Sequence, residues 1–280
     1  MRRPTRDPFV RRPFEGLVDE PEWVALREFV PAATAPLALS PSVTAEQGER
    51  RVILATLLPM AEPAMVRAEG DVLVALQRDG RSGDLGRDIA AALLAALSTD
   101  HPAPVAVPAA SEATPRLTDL VQDAPLEITV HDGFQFWLGD GGAEADPQVT
   151  ASLERANASI YPTVRMASAR AAYWCQVPQR AHLRWTLAEP EETALPALAR
   201  VSAGGGMPLG DGTRFAGMFR AHGLLVPVWD LPREDPAERW EEPLAAFAQR
   251  YGEALASGGE LTAAERRARQ GLVGRQLTLR

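Results

Sequence analysis

A chain of 280 residues with 46% hydrophobic and 24% charged residues is long enough for about two domains of ordinary size and too apolar for wholesale disorder. Its net charge of −8 is unevenly placed: residues 1–12 and 261–280 each hold five arginines against one acid, which leaves −16 on the body between them. Such a body repels nucleic acid and anionic membranes, so only the arginine-rich ends could attract a polyanion.

Residues 1–19, broken by prolines, read as an irregular arm in which Phe9, Phe14 and Leu17 pack on the body. In PEWVALREFV, Trp23, Leu26 and Val30 fall on one helical face, with Pro21 in the first turn and Pro31 ending the helix. Residues 36–40, 51–58 and 71–77 read as strands, the last two apolar on both faces and therefore central and covered. In residues 84–98, Leu85, Ile89, Leu93 and Leu97 recur four apart, as an amphipathic helix requires. The proline-rich stretch 99–124 reads as a surface linker. Residues 126–140, LEITVHDGFQFWLGD, read as a hairpin turning at Asp132-Gly133, with Leu126, Ile128 and Val130, then Phe134, Phe136 and Leu138, keeping the alternation.

The order then restarts. Asp146-Pro147 opens a helix with Val149, Leu153, Ala156 and Ile160 on one side. Residues 163–167, 171–177 and 182–187 read as strands, and Thr193 caps a helix that runs to Arg200. Residues 214–230, RFAGMFRAHGLLVPVWD, form a second hairpin, turning at His222-Gly223 and carrying, like the first, a tryptophan shortly before an aspartate. A last long helix begins near Asp235-Pro236 with Trp240, Leu244, Phe247, Tyr251 and Leu255 in one stripe, and a shorter arginine-rich helix spans 262–270. The expected fold is α+β: a tandem duplication of a helix, three-strand, helix, two-strand unit with antiparallel sheets, closed by a C-terminal helix. The expected divisions are an N-terminal arm 1–19, a first unit 20–145, a second unit with its closing helix 146–259, and a basic tail 260–280.

The run RPFEGLVDEPEWVALREFVPAATAPL resembles the N-terminal signature of an uncharacterised family of actinobacterial conserved proteins with no assigned function, similar over most of the chain. The element order also resembles that of tandem type III secretion chaperone-like domains, small modules that bind protein segments. That second resemblance is one of topology, and what it implies is protein binding.

The chemistry-bearing residues converge weakly. Gly80, Gly83 and Gly86 in DGRSGDLGRD lie between strand and helix, where phosphate loops sit, but their spacing fits neither the dinucleotide fingerprint nor the P-loop. Asp79, Asp84 and Asp88 would repel phosphate there, so the stretch reads as a turn. His131-Asp132 invites an acid–base reading, yet adjacent residues of a strand point to opposite faces. The single cysteine, Cys175, lies between Tyr173 and Val177 and reads as a core residue. It can form neither an internal disulfide nor a thiolate cluster, and the basic N-terminus lacks the apolar stretch of a secretory signal, so a reducing cytoplasm is the expected home. No run of 18 apolar residues offers a membrane span. His101, His131, His182 and His222 lack ligand spacing, so no metal site and no cofactor is expected.

The second set of strands offers the candidate surface. With Val164, Met166, Leu183, Trp185, Leu187, Phe215 and Phe219 inward, Arg165, His182, Arg184, Arg214, Arg220 and His222 share the outward face. They would form a cationic patch suited to an acidic peptide or a small anion. The plain alternative is the ordinary polar face of an antiparallel sheet, each arginine paired to an acid or lying over apolar surface, and a slip of one residue would flip a strand's contribution. The function expected is that of a non-catalytic protein-binding or chaperone-like accessory module with a protein partner, no membrane role and no nucleic acid except through the arginine-rich ends. The alternatives are an enzyme acting on a small anionic substrate, and a ribosome or translocation accessory protein.

Overall fold

The chain's two units, residues 1–160 and 161–280, are each built on one sheet in the computed structural model, which describes residues 9–56, 62–77, 82–138 and 147–275. The first unit runs α1 (Glu20–Glu28), β1 (Ala33–Leu37), α2 (Pro41–Gln47), β2 (Val52–Ala55), β3 (Ala64–Val66), β4 (Val72–Ala75), α3 (Leu85–Leu97), β5 (Ala103–Pro104), α4 (Leu117–Leu120), β6 (Thr129–Val130) and α5 (Pro147–Asn157). Its sheet has the order β5-β3-β4-β2-β1-β6. The strands apolar on both faces, β2 and β4, are central and buried throughout, and they pair in parallel with Ile53 opposite Leu73. Asp84 caps α3 by accepting from the Arg87 N–H at 3.3 Å.

The hairpin expected over 126–140 does not form among the described residues of this stretch, which end at Leu138. There Thr129 and Val130 alone pair, with β1, and residues 135–137 then make a turn of 3₁₀-helix. The aromatic residues explain this, because Phe134 and Trp137 turn into the core beside Ile53, Leu73, Leu153 and Ala156 instead of continuing an edge strand. The Trp137 indole donates to the Thr56 carbonyl at 3.0 Å, and the Phe134 N–H donates to Asn157 at 2.8 Å. Gly133 is needed at this corner, since a Cβ there would lie 2.9 Å from the Asn157 side-chain oxygen. The stretch 99–124 is more than a linker: it supplies β5, α4 and a bridge from Val121 to Leu39. In the N-terminal arm Phe14 is buried and stacks on Trp23, whereas Phe9 is 81% exposed.

The second unit runs β7 (Thr163–Arg165), β8 (Ala172–Val177), β9 (Arg180–Trp185), α6 (Glu191–Ala203), β10 (Arg214–Ala221), β11 (Leu224–Leu231), a 3₁₀ turn (Ala237–Trp240), α7 (Glu241–Ala256) and α8 (Ala263–Val273). Its sheet, β10-β11-β9-β8-β7, is antiparallel at every pairing. Helices cover one face, where Trp174, Leu183, Phe215 and Trp229 meet Leu195, Leu198, Leu244, Phe247 and Leu272. Trp229 is the centre of this core. Its ring meets Phe247 edge-on at 4.9 Å, and its indole donates to the Met207 carbonyl at 2.7 Å.

The class is therefore α+β, with two largely antiparallel sheets and a helical C-terminal end. The expectation of a tandem copy is corrected by the strand orders. The first sheet contains a parallel pair and the second contains none, and α5, expected to open the second copy, buries Leu153 and Ala156 in the core of the first unit.

Candidate functional site

Residues opposite one another in register lie on the same face of a sheet. Across the second sheet one such row is Thr163, Cys175, His182, Asp230 and Arg214, and a second is Arg165, Tyr173, Arg184, Val228 and Gly217. In the row between them, Trp174, Leu183, Trp229 and Phe215 contribute to the helix-covered core, whereas Val164, expected inward, lies on the edge strand β7 and is 39% exposed. Arg165, His182, Arg184 and Arg214 thus share the face away from the helices. Arg220 and His222 do not join them. A bulge between Phe215 and Gly217 shifts the register of β10, so Arg220 stands opposite the core residue Leu225 on the helix side. There it grips Glu191, at the start of α6, with two bonds of 2.5 and 2.6 Å. Phe219, expected inward, is flipped to the other face by the same bulge. His222 occupies the β10–β11 turn with φ 45°, followed by Gly223 at φ 83°.

The polar centre of this face is Asp230. Arg180 donates to its Oδ2 at 2.7 Å, Arg214 donates to the same oxygen at 2.5 Å, and His182 Nδ1 lies 3.1 Å from Oδ1. Burial alone would raise the Asp230 carboxyl, but the bond from Arg214 and the charges of Arg180, His182 and Arg214 outweigh it and hold the group below the usual carboxylate range. Burial, then the charges of Arg184 and Arg180, push the His182 imidazole down against the pull of Asp230. Two guanidinium groups therefore share one carboxylate oxygen. The Arg214 and Arg180 side chains remain 72% and 46% exposed, so the cluster presents a net positive charge to solvent.

The row also aligns Cys175, His182 and Asp230 on three adjacent strands. It is a poor nucleophile–base arrangement, because burial raises the thiol while the imidazole is pushed down. Elsewhere, Gly80 and Asp79 lie outside the described residues, and Gly86 has a packing role, since a Cβ there would meet the Pro13 carbonyl at 2.7 Å. His131 pairs with Thr34 at 2.8 Å and packs on Phe136, and burial pushes its ring down against the charge of Asp132. Among the described residues no three of His, Cys, Asp and Glu stand close enough to hold a metal ion, and no helix is long and apolar enough to cross a membrane.

Sequence reasoning misses Arg180 and Asp230, the two residues that organise the cluster. Arg180 is lost because the β8–β9 turn is tighter than expected and Val177 pairs with Arg180. Asp230 does leave a signal, being the one carboxylate in the apolar strand LLVPVWDL. No curated protein and no solved structure matches the chain. A family model does: over residues 13–280, beginning within the run that opens at Arg12, the chain belongs to the family described as DUF5926, a family of unknown function.

Proposed function

We propose that this protein is a non-catalytic, cytoplasmic protein-binding module that takes an acidic segment of a partner on the Arg180–Asp230–Arg214 end of its second sheet. The observation that carries the proposal is the convergence of two exposed guanidinium groups on one carboxylate oxygen. Asp230 pins the two arginines close together in a fixed orientation, and their outer donors stay available for a second carboxylate, which arginine holds in two-pronged geometry. Arg165 and Arg184 lie one row further along the same face, where both already have interactions of their own and the buried Tyr173 and Val228 share the row. Charge supports the choice of unit: residues 161–280 hold 15 arginines against 13 acids, a net of +2, while residues 1–160 hold 14 against 24, a net of −10. A chaperone-like role, holding such a segment until its own partner arrives, is the form of binding that suits a surface with no paired nucleophile and base.

The test is quantitative affinity capture from the source cell with the wild-type chain and with R180E/R214E, followed by rebinding of the recovered partner in purified form. A specific partner whose recovery falls at least about tenfold with the variant, at a temperature where the unfolding curves show both proteins folded, is the expected result. Equal recovery by both proteins rejects the site. Turnover of a small anion by the purified protein rejects the class and favours an enzyme.

A further inference from the structure

We infer that the acidic partner surface extends from the Asp230 cluster around the β10 edge onto α8, so that the partner carries a long acidic stretch and not a single acidic residue. The inference rests on the binding proposed above and specifies its ligand. Residues 261–275 hold four arginines, Arg266, Arg267, Arg269 and Arg275, against one carboxylate, Glu265. Glu265 is spent on the helix cap, where it accepts from the Thr262 N–H at 2.6 Å while Thr262 accepts from the Glu265 N–H. The inner face of α8 is set by Leu261, Ala268 and Leu272, of which Leu272 is buried and Leu261 packs on the core. Helical spacing then turns Arg266, Arg267, Arg269 and Gln270 toward solvent, and all four are exposed. Arg267 and Arg269 make no hydrogen bond or ion pair among the described residues, so α8 has a positive face with nothing of its own to neutralise it.

The two positive regions are joined. On β10, the Met218 N–H points away from β11 and donates to the Arg275 carbonyl at 3.2 Å, which fixes the end of α8 against that edge. Arg214 lies four residues further along the strand, about 13 Å away. A path along that strand and then along an α8 of 11 residues, roughly 16 Å long, measures about 30 Å, and the arginines on it make up the belt. Three classes of partner could meet such a belt. A membrane is disfavoured because the outward face of α8 has a single large apolar residue, Val273. A nucleic acid is disfavoured because α8 carries no aromatic side chain on which a base could stack. An extended acidic protein segment needs only the local charge, and the belt supplies it.

The probes are fluorescein-labelled oligoglutamate peptides of about four and about sixteen residues, the longer reaching roughly 50 Å when extended, and single-stranded DNA of about sixteen nucleotides, all read by anisotropy on the full chain. R266E/R267E/R269E is expected to weaken the long peptide at least about tenfold and leave the short one within about twofold, while R180E/R214E weakens both. An α8 variant that moves both peptides equally, or neither, overturns the belt and leaves the Asp230 cluster standing as the site. Loss through α8 with no effect of R180E/R214E overturns the proposed site and with it the continuous surface. DNA bound more tightly than the long peptide overturns the choice of partner. Should charge reversal lower the unfolding midpoint, R266Q/R267Q/R269Q is expected to show a smaller loss confined to the long peptide, and no loss there also overturns the belt.

Discussion

Asp230 is a carboxylate whose neighbours, more than its own burial, set its charge. Its folded pKa lies below the ordinary value, so it stabilises the fold above the unfolded value near 3.9 and loses that contribution as pH falls through the folded pKa. Asp230→Asn is therefore expected to lower stability at pH 7, with the deficit shrinking under acid, in urea denaturation followed across pH. A deficit of equal size at every pH would mean that Asp230 acts by shape alone. His182 has the matching sign. An imidazole pushed down in the fold contributes stability that is present above the unfolded value near 6.5 and is lost as pH falls through the folded pKa. His182→Gln should flatten part of the fall in stability between about pH 7 and pH 5, the remainder belonging to His131, whose ring is pushed down in the same direction. An unchanged slope would remove His182 from the account.

At the level of the element, the clearest cases are those where local chemistry and burial agree. The turn of the β10–β11 hairpin needs positive φ at both central residues, and His222-Gly223 supplies it at 45° and 83°. Gly223→Ala should cost about 1 to 2 kcal/mol because an L side chain is strained there, and a midpoint that does not fall would show the turn adopting another form. The stripe of α7 and its preceding turn is buried at Trp240, Leu244, Phe247 and Tyr251. The Trp240 indole N–H has no hydrogen-bond partner among the described residues, so Trp240→Ala removes its packing and the Arg239 guanidinium contact at 5.6 Å from its ring, and should cost about 3 to 5 kcal/mol. Both elements are legible in the sequence because a two-residue turn and a helical stripe are decided within a few residues. The stretch 126–140 is not, since its period-2 pattern is the same whether Phe134 and Trp137 line a strand face or fold into a core supplied by α5 and the central strands. Nor is the face of Arg220 legible. The bulge at Phe215 and Gly217 inserts one residue into the alternation, and no local pattern distinguishes a glycine that bulges from one that does not.

On the scale of the whole chain, charge is the property that composition states most directly and least locally. A net of −8 says that the protein is acidic, but the division into −10 for residues 1–160 and +2 for residues 161–280 appears only once the units are known. Register then decides which of the second unit's arginines share a face. If that face binds an acidic segment through guanidinium groups, its pH dependence is constrained. Arginine stays charged throughout the accessible range, and the His182 ring is pushed toward its neutral form at neutral pH. Binding of the long oligoglutamate peptide should therefore stay level from about pH 9 down to about pH 6.5. It should weaken steadily as salt rises from about 0.05 to about 0.5 M, because exposed pairs are screened over a Debye length that shrinks toward a few ångströms. At lower pH, protonation of His182 adds positive charge beside Arg180 and Arg214 and strengthens binding, until the peptide's own carboxylates are protonated near pH 4 and binding is lost. The resulting profile is flat, then rising, then falling, and R180E/R214E should lower the plateau, remove the rise and reduce the salt dependence to the part that α8 supplies. A profile with its midpoint between pH 7 and pH 8, or one indifferent to salt, would mean that the partner is held by something other than these arginines.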